Sequence, residues 1–171
     1  MSQIIPFGLQ QLMQLSDVVF KREVSCFSSQ YSISMFGRVT FRLEGWLDMT
    51  VLDNNNEQVA EFQRPINCFS SPCVELHMKG RQIATIRLKN FCSSRLVLSD
   101  NHDRPMLVIK RPLALHRNST FHILGAGDIK IGKIKKDWLK YNVQFPMDLD
   151  VQYKMAVLAA CYYIDITWYT R

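Results

Sequence analysis

Apolar and polar residues alternate along most of this chain, and turn residues break the alternation at regular places. Val74, Leu76 and Met78 are interleaved with Glu75 and His77. Lys79-Gly80 then turns the chain into a run carrying Ile83, Ile86 and Leu88. A period of two with one wet face predicts a β-hairpin. Phe121-His122-Ile123-Leu124, the turn Gly125-Ala126-Gly127-Asp128, and then Ile129, Ile131 and Ile134 read the same way. Two more hairpins surround polar turns. One runs from Val51-Leu52 through Asp53-Asn54-Asn55-Asn56 to Val59 and Phe62. The other runs from Val97-Leu98 through Asp100-Asn101-His102-Asp103 to Leu107 and Ile109. Asn and Asp tolerate the left-handed backbone that such turns need. A weaker strand pair runs from Tyr31 to Leu43 around Gly37. The segment from Pro6 to Phe20 suits a short helix or extended run leading into Val18-Val19-Phe20.

The four hairpins are related. Arg64-Pro65 and Arg111-Pro112 close the two polar-turn units 47 positions apart, and Gly80 and Gly127 are separated by the same 47. The chain therefore reads as one domain over 1–171 holding an internal duplication, 51–90 and 97–138, with two hairpins in each half. Many short strands at even spacing predict a mainly β fold, a closed barrel or a sandwich, since closure removes exposed edges.

The pattern changes near the C-terminus. From Met155 to Ile164 the chain is apolar all round, which predicts a buried helix within 148–169, with Asp148 as its N-cap. Val157, Ala160, Cys161 and Ile164 belong to this stretch. It is about half the roughly 20 residues that a membrane span needs. Ala156, Ala159 and Ala160 keep the helix narrow, as threading through a barrel requires. Asp165, at its end, is expected to reach water or a basic partner.

Composition narrows the function classes. The 171 residues are 47% hydrophobic and 21% charged, an ordinary globular balance. A net charge of +6 favours anionic partners without choosing among them. Five cysteines without CxxC spacing suggest neither a disulfide scaffold nor a zinc cluster, and a reducing compartment fits them. The start has no basic n-region with a long apolar core, so a secretory signal is not expected, and Asn118-Ser119-Thr120 reads as a turn. The four histidines show no metal spacing. GxSxG and HExxH are absent, and Gly125-Ala126-Gly127 sits in a hairpin instead of opening a helix. Covalent-bond catalysis is thus unsupported.

Four segments carry a family resemblance. Gln144-Phe145-Pro146-Met147-Asp148-Leu149-Asp150-Val151, then Lys154 and Ala160-Cys161-Tyr162-Tyr163-Ile164-Asp165, closely resembles the C-terminal signature of the phospholipid scramblase family. Gly132-Lys133-Ile134-Lys135-Lys136-Asp137-Trp138, Pro6-Phe7-Gly8-Leu9 with Leu12, Gln14 and Leu15, and Arg64-Pro65 with Cys68 resemble three further family segments. The resemblance implies a tubby-like closed β-barrel of about twelve strands around a central hydrophobic C-terminal helix. It also implies calcium-dependent, ATP-independent, bidirectional movement of phospholipids between membrane leaflets. The implied partners are phospholipid membranes and anionic lipids, with protein partners or self-association as further expectations and nucleic acid not among them. The implied place is the cytoplasmic face of a membrane, the plasma membrane first, with cytoplasm or nucleus as alternatives.

The chain departs from the family pattern in ways that bear on sites. Read as a short member, it is expected to be without the family's Pro-rich N-terminal tail. The palmitoylation cluster is reduced to Cys68 and Cys73, which read either as acyl anchors or as small apolar residues in a strand connection. The acidic calcium loop is shortened to Leu139-Lys140-Tyr141-Asn142, and only Asp148 matches its end. Calcium takes six to eight oxygen ligands, so binding here is doubtful. Lys133, Lys135 and Lys136, with Arg81, Arg87 and Lys89 in the equivalent half, are expected either to form a basic face toward anionic lipid or to be a solvated strand surface. In the family the Gly-Lys-Ile segment is also read as an import signal. The competing reading is a membrane-surface lipid- or protein-binding adaptor without transport activity.

Overall fold

The computed structural model describes residues 5–24, 29–66, 72–90 and 94–169. After a short helix α1 (Phe7–Met13), the chain forms β1 (Asp17–Glu23), β2 (Ser29–Met35), β3 (Arg38–Gly45) and β4 (Met49–Asp53). β5 (Gln58–Gln63), β6 (Cys73–Met78), β7 (Arg81–Leu88) and β8 (Arg95–Ser99) follow. β9 (Pro105–Lys110), β10 (Thr120–Leu124), β11 (Lys130–Asp137) and β12 (Lys140–Gln144) complete the sheet, and α2 (Val151–Ile164) follows it. Every strand pairs antiparallel with its sequence neighbours, and β1 pairs with β12 to close a barrel of twelve. The tubby-like barrel of twelve strands around a C-terminal helix that the family resemblance implied is the architecture observed.

Twelve strands enclose more room than their own side chains fill, and a helix about 10 Å across occupies it. α2 is buried on all sides from Lys154 to Ile164, with Ala156, Ala159 and Ala160 allowing close approach to the wall. Val157, Ala160, Cys161 and Ile164 are fully buried. The wall follows the period of two. Met49, Val51 and Asp53 of β4 point inward, as do Phe121 and Ile123 of β10. Each fully buried Phe, Leu or Ile contributes about 1.5–3 kcal/mol.

Turn chemistry repeats. Asp53 Oδ1 accepts the N–H groups of Asn55 at 2.8 Å and Glu57 at 3.0 Å. Asp100 Oδ1 accepts those of His102 at 2.8 Å and Arg104 at 2.9 Å, the same bonds 47 residues on. Asn56 and Asp103 both take positive φ. Gly45 (φ +154°) makes the tight β3–β4 turn, where a Cβ would lie 1.9 Å from the Asp48 carbonyl oxygen.

Three expectations need correction. The helix starts at Val151, and its N-cap is Asp150, whose Oδ1 accepts the Gln152 N–H at 2.7 Å; Asp148 is exposed ahead of it. Past Ile164 the helix widens to π geometry over Asp165–Tyr169. Ile129 is exposed, because a bulge at Ile123/Leu124 shifts the register and the turn bends over the barrel wall, where Asp128 meets Arg95 at 2.8 Å.

Candidate functional site

Two buried ionisable groups hold the central helix at its ends, about 16 Å apart along the axis. Lys154 sits in the first turn of α2, where burial and the positive end of the helix dipole both oppose its charge. Burial lowers its pKa, and Asp148 and Asp150 partly restore it. Its Nζ faces four carbonyl oxygens: Leu12 at 3.1 Å, Met13 at 3.0 Å, Leu15 at 2.7 Å and Met147 at 2.7 Å. The ammonium thus caps the last carbonyls of α1 and seats that helix across one mouth of the barrel. At the other end Asp165 is buried, accepting from Tyr31 Oη at 2.9 Å and Tyr141 Oη at 2.8 Å, with Arg22 Nη1 at 3.5 Å. Burial and the Asp165 charge raise both phenol pKa values. The basic partner expected of Asp165 is therefore Arg22.

The lysines of β11 divide between the two faces. Lys133 and Lys135 are exposed, but Lys136 is buried. Its ammonium is a hydrogen-bond donor to the Trp138 carbonyl and lies 4.2 Å from the Tyr169 ring centre. The inward side chain follows from the pleat: Ile134 points in, so Lys136 does too. A three-lysine outer face is thereby corrected to two. Arg81 and Arg87 on β7 do not join them, since β8, β9 and β10 intervene.

The register builds a different basic row. Arg95 of β8 lies opposite Lys110 of β9, Lys110 opposite His122 of β10, and His122 opposite Lys133 of β11. Paired residues share a face, so these four side chains line up on the outer wall. Burial, then Lys130, Lys110 and Lys133, lower the His122 pKa from its usual 6.5. Its Nδ1 is buried without a hydrogen-bond partner. Lys130 and Lys133 edge an open hollow of about 380 Å³ floored by Gly132, Phe145 and Pro146. Such a row can attract phosphate-bearing anions. Sequence reasoning found Lys133 but missed Arg95, Lys110 and His122, because only cross-strand register joins them.

The remaining candidates are more scattered. Cys68 lies outside the described residues. Cys73 opens β6 and is disulfide-bonded, which occupies that thiol. Asp148 has Asp150 as its neighbouring carboxylate, and one oxygen of Asp150 is engaged in the helix cap. Among the described residues no three His, Cys, Asp or Glu side chains gather as a metal group. Two surface carboxylates do not fit the oxygen-rich shell of a calcium ion.

A family model described as Scramblase matches residues 10–171. The chain belongs to the scramblase family. It is 22% identical to phospholipid scramblase 1 of Rattus norvegicus, covering 97% of this chain and 63% of the relative. It is 26% identical to phospholipid scramblase 2 of Bos taurus, covering 71% and 49% respectively. Phospholipid scramblase 1 of Homo sapiens is 23% identical over 96% of this chain and 66% of its own length. This scramblase-family chain thus spans between about half and two thirds of these relatives. A protein from Arabidopsis thaliana solved by X-ray shares the fold at 12% identity, with a TM-score of 0.58 over 88% of this chain and 92% of that one.

Proposed function

We propose that this scramblase-family barrel works at the surface of phospholipid bilayers, contacting anionic headgroups from outside, and that it serves movement of phospholipids between leaflets. The carrying observation is the enclosure of α2, whose buried faces leave no apolar stripe to offer to lipid. Among the described residues no helix is long and apolar enough to cross a membrane. The strands carry apolar residues inward and charges such as Arg42, Glu44, Arg87 and Lys133 outward, the reverse of a membrane-spanning barrel. Withdrawing α2 would expose the whole barrel lining at roughly 25 cal/mol per Å², so lipid engagement with α2 in place is favoured. The row Arg95–Lys110–His122–Lys133 supports attraction to anionic headgroups.

Acylation at Cys68, or at Cys73 once its disulfide is reduced, would add a second anchoring signal on the cytoplasmic leaflet. A dithionite assay on vesicles holding fluorescent phospholipid tests transfer. Purified protein should expose inner-leaflet lipid in proportion to its density, equally with calcium and with chelator. Vesicle binding without any transfer would instead establish the adaptor reading, which the basic row supports equally. A nuclear role through Lys133, Lys135 and Lys136 is less favoured, because the segment is a paired strand with Lys136 inward.

A further inference from the structure

Antiparallel closure sends successive strand connections alternately to the two ends of the barrel. The β1–β2, β3–β4, β5–β6, β7–β8, β9–β10 and β11–β12 connections share the end where α2 terminates. That placement is visible in the bonds of the helix end: Tyr162 Oη donates to the Leu47 carbonyl at 3.3 Å, and Tyr169 Oη to that of His116 at 3.2 Å.

These connections carry exposed apolar side chains at Val24, Trp46, Leu47, Ile66, Leu113 and Trp138. Their described residues also carry Arg64, Lys89, Arg111 and Arg117, against the single carboxylate Asp48, whose Oδ1 accepts the Arg64 backbone N–H at 2.8 Å. Arg117 lies over the Trp138 ring at 4.3 Å, pairing a cation with an exposed indole. The opposite end also exposes apolar groups, Phe36 and Met147 among them. Its connections, however, carry Glu57, Asp100, Asp103, Asp128, Asp148 and Asp150 against Lys79 and Arg104. Apolar exposure alone does not choose between the ends; charge does.

We propose that the end bearing Trp46, Leu47, Trp138 and Arg117 is the face that docks on an anionic phospholipid bilayer, with the acidic end turned to water. Indole rings sit at the headgroup level of a bilayer, and basic side chains among them meet lipid phosphates and anionic headgroups. Cys73, which opens β6, lies at the same end, so an acyl chain there, once its disulfide is reduced, would reinforce the same orientation. This inference rests on the membrane-surface reading given under Proposed function and adds to it the surface used.

The test is sedimentation of the full, unacylated chain with vesicles of phosphatidylcholine alone or enriched in phosphatidylserine. The unchanged chain should bind the enriched vesicles. Trp46→Ser and Trp138→Ser should each weaken binding at least about tenfold, and Arg117→Gln and Lys89→Gln about fivefold each. Phe36→Ser and Met147→Ser, at the other end, should bind as the parent does. All six sites are exposed, and an unchanged thermal melt verifies folding. If the Phe36 and Met147 variants lose binding while the rim variants keep it, the orientation is overturned. If only Lys110→Gln and Lys133→Gln lose it, the wall is the contact and the rim is not. Rim variants that bind normally but lose self-association in sedimentation velocity would make this a protein interface, which also overturns the proposal. An unchanged chain that binds neither vesicle sinks the membrane-surface reading itself, a result distinct from the other three.

Discussion

His122 shows how one side chain reports its strand neighbours. Burial comes first in holding its pKa below 6.5, and the charges of Lys130, Lys110 and Lys133 add to it. An NMR titration should therefore find its midpoint below 6.5 and find it rising when Lys110 and Lys133 are replaced by Gln. The unfolded chain takes up this proton before the folded one does. Folding stability should thus decline as pH falls from 6.5 through the folded value, and recover on the way back. Lys154 answers to a harder constraint. Its ammonium serves four carbonyl oxygens at the barrel mouth. Lys154→Met keeps the bulk but orphans those acceptors, and should cost about 3 kcal/mol in urea unfolding. The sequence marked Lys154 only as a member of the C-terminal family signature, without a role, because its partners lie some 140 positions away or in the loop before the helix. Lys136 is a different case. The alternation through Ile134 already placed it inward, and counting charges along the segment concealed what the pleat revealed.

At the scale of elements, local chemistry was the most readable. Both Asx-type turns were legible from Asp53 and Asp100 with their Asn and Asp neighbours, since a short carboxylate bonding backbone two and four residues on needs no distant partner. Asp53→Ala and Asp100→Ala should each cost about 1 kcal/mol in thermal unfolding, through the same lost bonds. The helix boundary was read two residues early, because Asp148 and Asp150 are equivalent as sequence signals and only geometry shows which side chain reaches an N–H. Asp150→Ala should lower stability by about 1 kcal/mol, whereas Asp148→Ala should leave the cap intact, a contrast that chemical denaturation resolves. What no local pattern carried was the cross-strand order. Arg95, Lys110 and His122 are scattered in sequence and become neighbours of Lys133 only once the sheet sets its register.

For the whole molecule, strands of period two left a barrel or a sandwich open, one segment apolar on every face predicted a buried helix, and the family resemblance supplied the barrel around it. Their agreement is what a self-consistent sequence provides. The enclosed helix also sets the reactivity of its thiol. Cys161 is fully buried, and burial raises its pKa far out of the reactive range. Its labelling by an aqueous maleimide should proceed only at the rate of global unfolding, and should stay as slow when the protein is bound to vesicles. Faster labelling on vesicles would mean that the helix leaves the barrel there.

The plug of this barrel comes after all twelve staves in chain order, and the first stave pairs with the last. During synthesis, then, eleven strands emerge before the closing strand, and the filling helix emerges later still. The nascent sheet has open edges and an unfilled greasy interior for most of that time, the condition under which chains mispair or aggregate. A ribosome-bound chain halted before Lys140 should remain protease-sensitive along its length and gain protection in one step once Tyr169 is free. Stop codons late in the coding sequence should accordingly abolish the fold as a whole, sparing no stable fragment upstream.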